Sequence, residues 1–405
     1  MTHQPHSWLV AGRRITDPGD RAAQQLLALA HDKQTRPLCE CVRAGVETYV
    51  ARTPTGRFII KRLPNSGPRH HHDCESYEPP QALSGRGEIA TDVNADGATV
   101  LRLGFRLHRN PDRPRADSSG QLGGTSRHSS PPSRAVSLEA LLHYLWDEAG
   151  FTRWSPKMAG KRNWSLIRYH LTRVAEQTMI GGRSLAELLW IPEPFDRRDL
   201  AQIEARRQAA WEPLATTSST YRDQRPFGLA VLEWAGIKPA RYGQAIAVKQ
   251  MARPPFMVGD ELLANLGERF PQIELHARTP GHLVMAATFS LSRGGYPVVE
   301  DAAFLCTDVN WLPHSTTAEV DLLIAAVDQQ RRFTTPLRYG MTSGIPTPSL
   351  VLTDTPEPVA AYIAGDRHSA DLAEHAAAAA GTPAWVWCTT HPRPDLPTPR
   401  LSPGS

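Results

Sequence analysis

The sequence predicts an α+β protein of several units: an N-terminal β module stapled by zinc, a helical middle segment and a C-terminal mixed α/β domain. Three observations predict it. Cys39, Cys41 and Cys74, three of five cysteines, cluster near the N-terminal end, the last preceded by His70-His71-His72. A Pro-, Ser-, Gly- and Arg-rich stretch at 109–135 has almost no apolar content. It cannot bury enough surface to offset ordering, so it reads as a flexible linker. Beyond it, helical periodicity gives way from about Arg225 to strands alternating with helices.

The 405 residues allow two or three domains, at roughly 100–200 residues each. The boundaries fall at 1–108, 109–135, 136–212, 225–390 and a Pro-rich tail at 391–405, which is expected to fray. A net charge of +4 does not by itself indicate nucleic acid; its distribution matters more. From Arg36 to His72 seven Lys/Arg face only Glu40 and Glu47, and from Phe151 to Arg173 there are six and no acid. Odd-numbered, clustered cysteines make a poor disulfide framework and a better metal site in a reducing compartment. No apolar segment follows the start of the chain, and none approaches the ~18 residues of a membrane span. The expectation is a cytoplasmic protein with no membrane partner.

Asp17 to Ala30 predicts a short helix starting near Pro18. Val46–Val50 and Phe58–Ile60 predict a hairpin turning at Pro54-Thr55-Gly56, which would carry Cys39 and Cys41 towards His71 and Cys74. After the linker, Leu138, Leu141, Leu142, Leu145 and Trp146 make one helical face, and Trp164, Ile167, Leu171 and Val174 another. Ser184–Leu189 predicts a third helix. Strands follow at 229–234, 244–248, 282–289 and 302–306, then a helix over 317–333, strands at 349–352 and 359–363, a helix over 372–380 and a strand at 384–387.

Zn²⁺ favours four thiolate and imidazole ligands supplied as two short-range pairs. Cys39-x-Cys41 and His71-x2-Cys74 would give a closed Cys3His site, structural rather than catalytic; the histidine run leaves His70 and His72 open as the fourth ligand. Lys157, Lys161, Arg162, Arg168 and Arg173 surround a turn between two helices and are candidates for phosphate contact.

The helix, strand, strand, helix, strand order of the C-terminal half resembles a restriction-endonuclease core. Such a core needs paired acids, because metal ions must flank a phosphate. Here Pro348-Ser349 stands where an acid is expected, and Ala361-Tyr362-Ile363 carries neither Glu nor Lys. Glu319, Asp354 and Glu357 are the remaining candidates, so the fold is expected without an intact active site. Glu233 and Lys238 read as a surface pair at a hairpin loop.

The stretches Arg36-Pro37-Leu38-Cys39-Glu40-Cys41, Cys74-Glu75-Ser76-Tyr77-Glu78-Pro79, Gly160-Lys161-Arg162-Asn163-Trp164 and Pro336-Leu337-Arg338-Tyr339 resemble a bacterial family catalogued as domain of unknown function 1173. The resemblance implies a setting in integrative conjugative elements and other mobile DNA, and no catalytic residues. The resulting expectation is a nucleic-acid-associated accessory protein of a mobile element. Its partners would be nucleic acid and other element proteins. The alternatives are a metal-dependent nuclease and a protein–protein scaffold with structural zinc.

Overall fold

The computed structural model describes residues 6–53, 56–63, 66–85, 92–93, 98–109, 135–215, 225–240, 243–337 and 346–400. Apart from Arg109 and Ala135, the expected linker lies outside these residues, as do Pro54 and Thr55 of the expected turn. The architecture is mixed α+β with several sheets.

The N-terminal sheet holds β1 (Trp8–Val10), β2 (Arg13–Ile15), β3 (Leu38–Cys39), β4 (Val46–Arg52) and β5 (Phe58–Arg62), all antiparallel, in the order β2-β1-β3-β4-β5. Helix α1 (Arg21–Asp32) packs on it. Its start is set by Asp20, whose carboxylate accepts the Ala22 and Ala23 N–H groups, rather than by Pro18. Its face of Ala23, Leu27 and Ala30 is buried, with Leu27 and Ala30 against Val10 and Val50. Gln24 fastens the helix to β5 by bonding both the N–H and the C=O of Phe58.

Helix α2 (Leu138–Glu148) begins at Ser137, whose hydroxyl caps Ala140 N–H. The single apolar face expected of it is too narrow a description: Ala140, His143 and Tyr144 are buried as well. The reason is that α2 lies between α3 (Trp164–Glu176) and the strands of the next unit. One apolar core runs from Leu101 to Leu337, so the expected boundary between the helical segment and the C-terminal half is not a break in packing. The predicted helix at Ser184–Leu189 is a single 3-10 turn, Leu185–Glu187, held between two-residue strands.

The next five strands close a barrel. They are β7 (Gly228–Pro239), β8 (Gln244–Val248), β9 (Met251–Val258), β10 (His282–Leu291) and β11 (Pro297–Thr307), with β6 (Arg153–Trp154) belonging elsewhere. β7 pairs antiparallel with β8, and β8 with β9. β9 meets β11 in parallel at Met257↔Val298, β11 runs antiparallel to β10, and β10 returns antiparallel to β7. The long β7 serves two neighbours. Gly228 to Glu233 pair with β10, and Trp234 to Pro239 pair with β8. The register breaks between Trp234 and Gly236, where Gly236 at φ +116 gives the bend that no side chain would favour. Helices α5 (Asp260–Arg269) and α6 (Gln272–Arg278) connect β9 to β10, and Leu266 and Phe270 enter the core beside Phe304. Helix α4 (Leu200–Ala215) sets Trp211 against Phe256 and Phe289. Going round the ring as first, second, third, fifth, fourth, with helices between third and fourth, the barrel has the connectivity of an OB-type barrel.

The C-terminal sheet has the order β15-β14-β13-β12-β6, built from β12 (Phe333–Thr334), β13 (Leu350–Leu352), β14 (Val359–Ala364) and β15 (Ala384–Cys388). Only β14 and β15 are parallel. Alternate residues point to opposite faces. Leu350, Leu352, Val359 and Ala361 meet α7 (Thr317–Asp328) through Leu322, Leu323 and Ala326. Val351, Ala360 and Tyr362 meet α8 (Arg367–Ala379) through Ala373 and Ala377. The tail does not fray over its described part: Leu396 is buried in the α7 layer, and Arg400 N–H donates to Asp354 C=O at 2.7 Å.

Candidate metal centre

β3 carries Cys39 into the middle of the N-terminal sheet, opposite Trp8 on one side and Val46 on the other. The chain leaves β3 through Glu40 and turns at Cys41. After β5 it returns through a 3-10 turn, Gly67–Arg69, which ends at His70. Gly67 is required there because a Cβ would stand 2.6 Å from Glu78 Cβ. A turn from His71 to Cys74 completes the set.

Cys39, Cys41, His70 and Cys74 bring one donor atom each to within 4.8 Å of all the others. Cys39 Sγ and Cys74 Sγ are 3.8 Å apart, and His70 Nδ1 is 3.4 Å from Cys41 Sγ and 3.7 Å from Cys74 Sγ. A tetrahedral Zn²⁺ with ordinary bond lengths requires edges of about 3.8 Å between sulfurs and about 3.6 Å between sulfur and nitrogen. The donor set and its spacing therefore fit a tetrahedral ion, and the four residues could hold one.

The histidine brought to the cysteines is His70, an alternative that the histidine run left open, rather than His71, which was named first. The 3-10 turn aims the His70 ring inward and leaves it 3% exposed. His71 instead offers its backbone N–H to Cys41 Sγ at 3.4 Å, while its ring lies against His72. Ser76 N–H does the same for Cys74 Sγ, also at 3.4 Å. His6 was not legible as part of the site, yet its Nε2 lies 3.1 Å from Cys39 Sγ and 3.5 Å from Cys74 Sγ. Only the β1–β3 pairing reveals it.

The electrostatics suit a ligand site. The shared proton of Cys39 holds the Cys74 thiol far below its ordinary range, against burial and with help from His6, His70 and Ser76 N–H. Cys39 is pushed up by the same sharing and by burial, and Cys41 by burial. A thiolate is the form that binds metal. Asp73, between His72 and Cys74, ties the module to the C-terminal unit: Arg332 reaches it at 2.8 Å and Arg400 at 2.5 Å. Burial pushes its carboxyl up, but Arg400 and Arg332 hold it below the usual range.

The basic helix residues do not form one surface. Arg162 is turned inward. It donates to the carbonyl oxygens of Phe151, Arg153 and Asn310 and lies over the Phe151 and Trp154 rings. Arg168 donates to Ile191 C=O at 3.1 Å, and Arg173 pairs with Glu176 at 3.9 Å. Lys157 and Lys161 are exposed. The patch read along the sequence is thus two exposed lysines, an inward Arg162, and half-buried Arg168 and Arg173 with one partner each.

The carboxylate candidates are also separated. Asp354 is engaged by Arg331 through two bonds of 2.8 and 2.9 Å and by Arg332 N–H, so it is an ion-pair partner rather than a free metal ligand. Glu357 is exposed on the turn before β14. Glu319 accepts Ser315 N–H at 2.6 Å and the Ser349 hydroxyl at 3.1 Å. Glu233 is not a surface partner of Lys238, because β7 continues through 234–236 instead of turning. It is 4% exposed and accepts from Lys249, His282 and Gln250.

Glu319 and Ser349 border a cleft of about 270 Å³ between α2, β11 and α7, also lined by Glu139, His143, Cys306 and His314. Burial pushes His143 and His314 down to about 4. In the unfolded chain these rings take up protons near 6.5. Between pH 6.5 and 4 the unfolded state therefore binds more protons. The contribution is fully present above 6.5 and is lost as pH falls through that window. His143→Gln and His314→Gln should each reduce the stability lost between pH 7 and pH 4.5, by about 2 kcal/mol. Urea unfolding at the two pH values measures it; an unchanged difference would place the acid sensitivity elsewhere.

The structure defines a multi-sheet α+β protein whose N-terminal sheet is closed by a Cys3His cluster. Residues 10–390 match the family described as "Protein of unknown function (DUF1173)", and the chain belongs to that family. No curated protein and no solved structure matches it. No helix among the described residues is long and apolar enough to cross a membrane.

Proposed function

We propose that this protein is a nucleic-acid-associated accessory factor of a mobile genetic element, with zinc held by Cys39, Cys41, His70 and Cys74 as a structural staple. The barrel carries the reading. Barrels of this connectivity bind oligonucleotides or oligosaccharides on the face of their second and third strands. The step from connectivity to ligand is a fold-level analogy. The local excess of cations and the exposed Lys157 and Lys161 favour a polyanion over a sugar. With four protein ligands the metal would have no open position, which suits a staple and not a catalyst. The mobile-element setting rests on the family resemblance, and partners from the same element remain part of the proposal.

The test is fluorescence anisotropy with labelled DNA and RNA between 50 and 200 mM salt. Binding that weakens steeply over that range is expected, because phosphate contacts release counterions. Absence of any salt-dependent binding retires the reading.

A second reading is supported by the helix, three-strand meander, helix, strand order of α7, β12, β13, β14, α8 and β15. It is a nuclease-like scaffold that lacks the acids to hold metal at a phosphate, with Ser349 beside Glu319 at the head of β13. No cleavage is expected with Mg²⁺ or Mn²⁺. Metal-dependent cleavage abolished by Glu319→Gln would replace it with an enzyme.

A further inference from the structure

We propose that Glu233, His282 and Lys249 form a catalytic centre that cleaves single-stranded RNA through the RNA's own 2′-hydroxyl. This rests on the nucleic-acid reading and names RNA as the ligand and a reaction for it. The centre lies where β7, β10 and the β8–β9 turn meet, at the opposite end of β8 and β9 from the Gln244↔Val258 pair.

Orientation is the first argument. His282 Nδ1 and Lys249 Nζ each lie 2.6 Å from Glu233 Oε1, and Gln250 Nε2 donates to Oε2 at 2.7 Å. Lys249 N–H adds a bond of 3.0 Å to Glu233 C=O. Burial pushes the Glu233 carboxyl up, but His282 and Lys249 hold it below the usual range, so it is ionised at neutral pH. A carboxylate only accepts, so the neutral His282 ring carries its proton on Nδ1 and keeps a lone pair on Nε2. That Nε2 has no hydrogen-bond partner among the described residues, and 22% of the side chain is open to solvent.

The second argument is that the ring is held in place by strained neighbours. Trp311 stacks on it, with centroids 3.6 Å apart and planes 11° apart. Trp311 is buried and sits at φ +62, which bulky residues rarely adopt and which persists only where the surroundings enforce it. Asp308 fixes that turn by accepting Asn310 N–H and Leu312 N–H at 2.8 Å each. Gly281 brings the start of β10 against β11, since a Cβ there would overlap the Thr307 carbonyl oxygen. His276 on α6 also faces the cluster, and burial, helped by Lys249 and His282, pushes it down, so it adds no charge at neutral pH.

The make-up of the centre selects the reaction. An imidazole with an open nitrogen takes a proton from a nucleophile. Among the described residues no hydroxyl or thiol bonds to that nitrogen, so the nucleophile comes with the substrate. Lys249 spends one N–H on Glu233 and keeps others for an anion, with 43% of its side chain in solvent. A hydroxyl beside a phosphodiester is the group that distinguishes RNA from DNA. His282 Nε2 takes the 2′ proton as the 2′ oxygen bonds to phosphorus, with Lys249 on a phosphate oxygen. The bond from phosphorus to the 5′ oxygen breaks, and that oxygen takes a proton from water. The hydroxide left behind recovers the proton from His282. The products are a 2′,3′-cyclic phosphate and a 5′-hydroxyl end, and nothing is oxidised or reduced. A duplex keeps the 2′ oxygen out of line with the breaking bond, so the strand must be single. Glu233 and Trp311 are positioning residues. The reaction needs no added metal, which separates it from the metal-dependent cleavage not expected of the C-terminal sheet.

The experiment incubates the full chain, without added Mg²⁺ or Mn²⁺, with a labelled single-stranded RNA of mixed sequence and with DNA of the same sequence. The RNA should be cut to fragments ending in a 2′,3′-cyclic phosphate, identified by mass, and the DNA should stay intact. His282→Gln keeps a donor for Glu233 but offers no base, and should lower kcat by about 10²- to 10⁴-fold. Lys249→Gln should lower it by about 10²- to 10³-fold. Glu233→Gln should lower kcat and leave KM nearly unchanged, a split that a damaged fold would not give. Unaltered thermal unfolding of His282→Gln and Lys249→Gln separates lost chemistry from lost structure, and identical purification of every variant excludes a contaminating ribonuclease. If the wild type binds RNA but leaves it intact, or His282→Gln cuts at the wild-type rate, the centre is an ion-pair network only and the broader reading stands. If the wild type binds no nucleic acid, both fall.

Discussion

Cys74→Ser should abolish zinc binding at the Cys3His cluster and, with it, the order of the N-terminal sheet. Cys39 is completely buried at the centre of that sheet, and Cys74 lies beyond β5 on a turn-rich segment with little regular structure. The metal would join the two. Structural zinc contributes apparent free energies of about 10–16 kcal/mol, as large as the net stability of a whole domain, about 5–15 kcal/mol. Elemental analysis of the wild type should give about one zinc per chain, and Cys39→Ser and Cys74→Ser should give none, together with loss of folded structure. His70→Ala should lose most of the metal and His71→Ala should keep it, since of these two histidines His70 is the one with its ring at the sulfurs. A well-folded wild type without zinc would remove the staple altogether. Retention in His70→Ala with loss in His71→Ala would reverse the ligand assignment.

Asp354→Ala should be the most damaging change in the C-terminal unit. Arg331 is 1% exposed, and Asp354 neutralises it through two bonds of 2.9 and 2.8 Å. Removing the carboxylate strands a guanidinium in the interior, which costs about 3–5 kcal/mol. Arg331→Met made together with Asp354→Ala should recover much of that loss, because no unpaired charge remains. Chemical denaturation of the two single variants and the double variant reads the coupling. A loss under about 1 kcal/mol for Asp354→Ala would mean that water reaches Arg331. The same residue was a nuclease candidate on sequence grounds; its role as a buried counter-ion explains its presence without catalysis.

Local signals were legible and closures were not. The Cys39-Glu40-Cys41 and Cys74 spacing announced a Cys/His cluster that could hold a metal, and period-two and helical patterns located β4, β5, α2, α3, α7 and α8. The choice of His70 depended on which way a 3-10 turn aims its last ring, and three adjacent histidines carry no such information. His6 became visible only when β1 paired with β3. The basic run from Arg153 to Arg173 looked like a surface because sequence does not show where a guanidinium points; Arg162 points at three carbonyl oxygens. β9 was missed because Met251–Val258 contains Pro254 and Pro255, which ordinarily argue against an interior strand. It is tolerated because β9 meets β11 at only one registered pair, Met257↔Val298. Without β9, and without a ladder joining β7 to β10, no local pattern distinguishes a closed barrel from an open sheet.

The fork of Arg332 and Arg400 on Asp73 has a practical side. Asp73 immediately precedes Cys74, one of the four residues that could hold a metal ion, and Arg400 lies in the tail beyond β15. The Cys74 turn and the tail beyond β15 thus share one carboxylate as an anchor. A truncation before Arg400 would release the loop that presents Cys74. Chelation at the other end would in turn loosen the tail and open it to proteases. Trimming at the C-terminus could then serve as an inexpensive gauge of how fully a preparation is metallated.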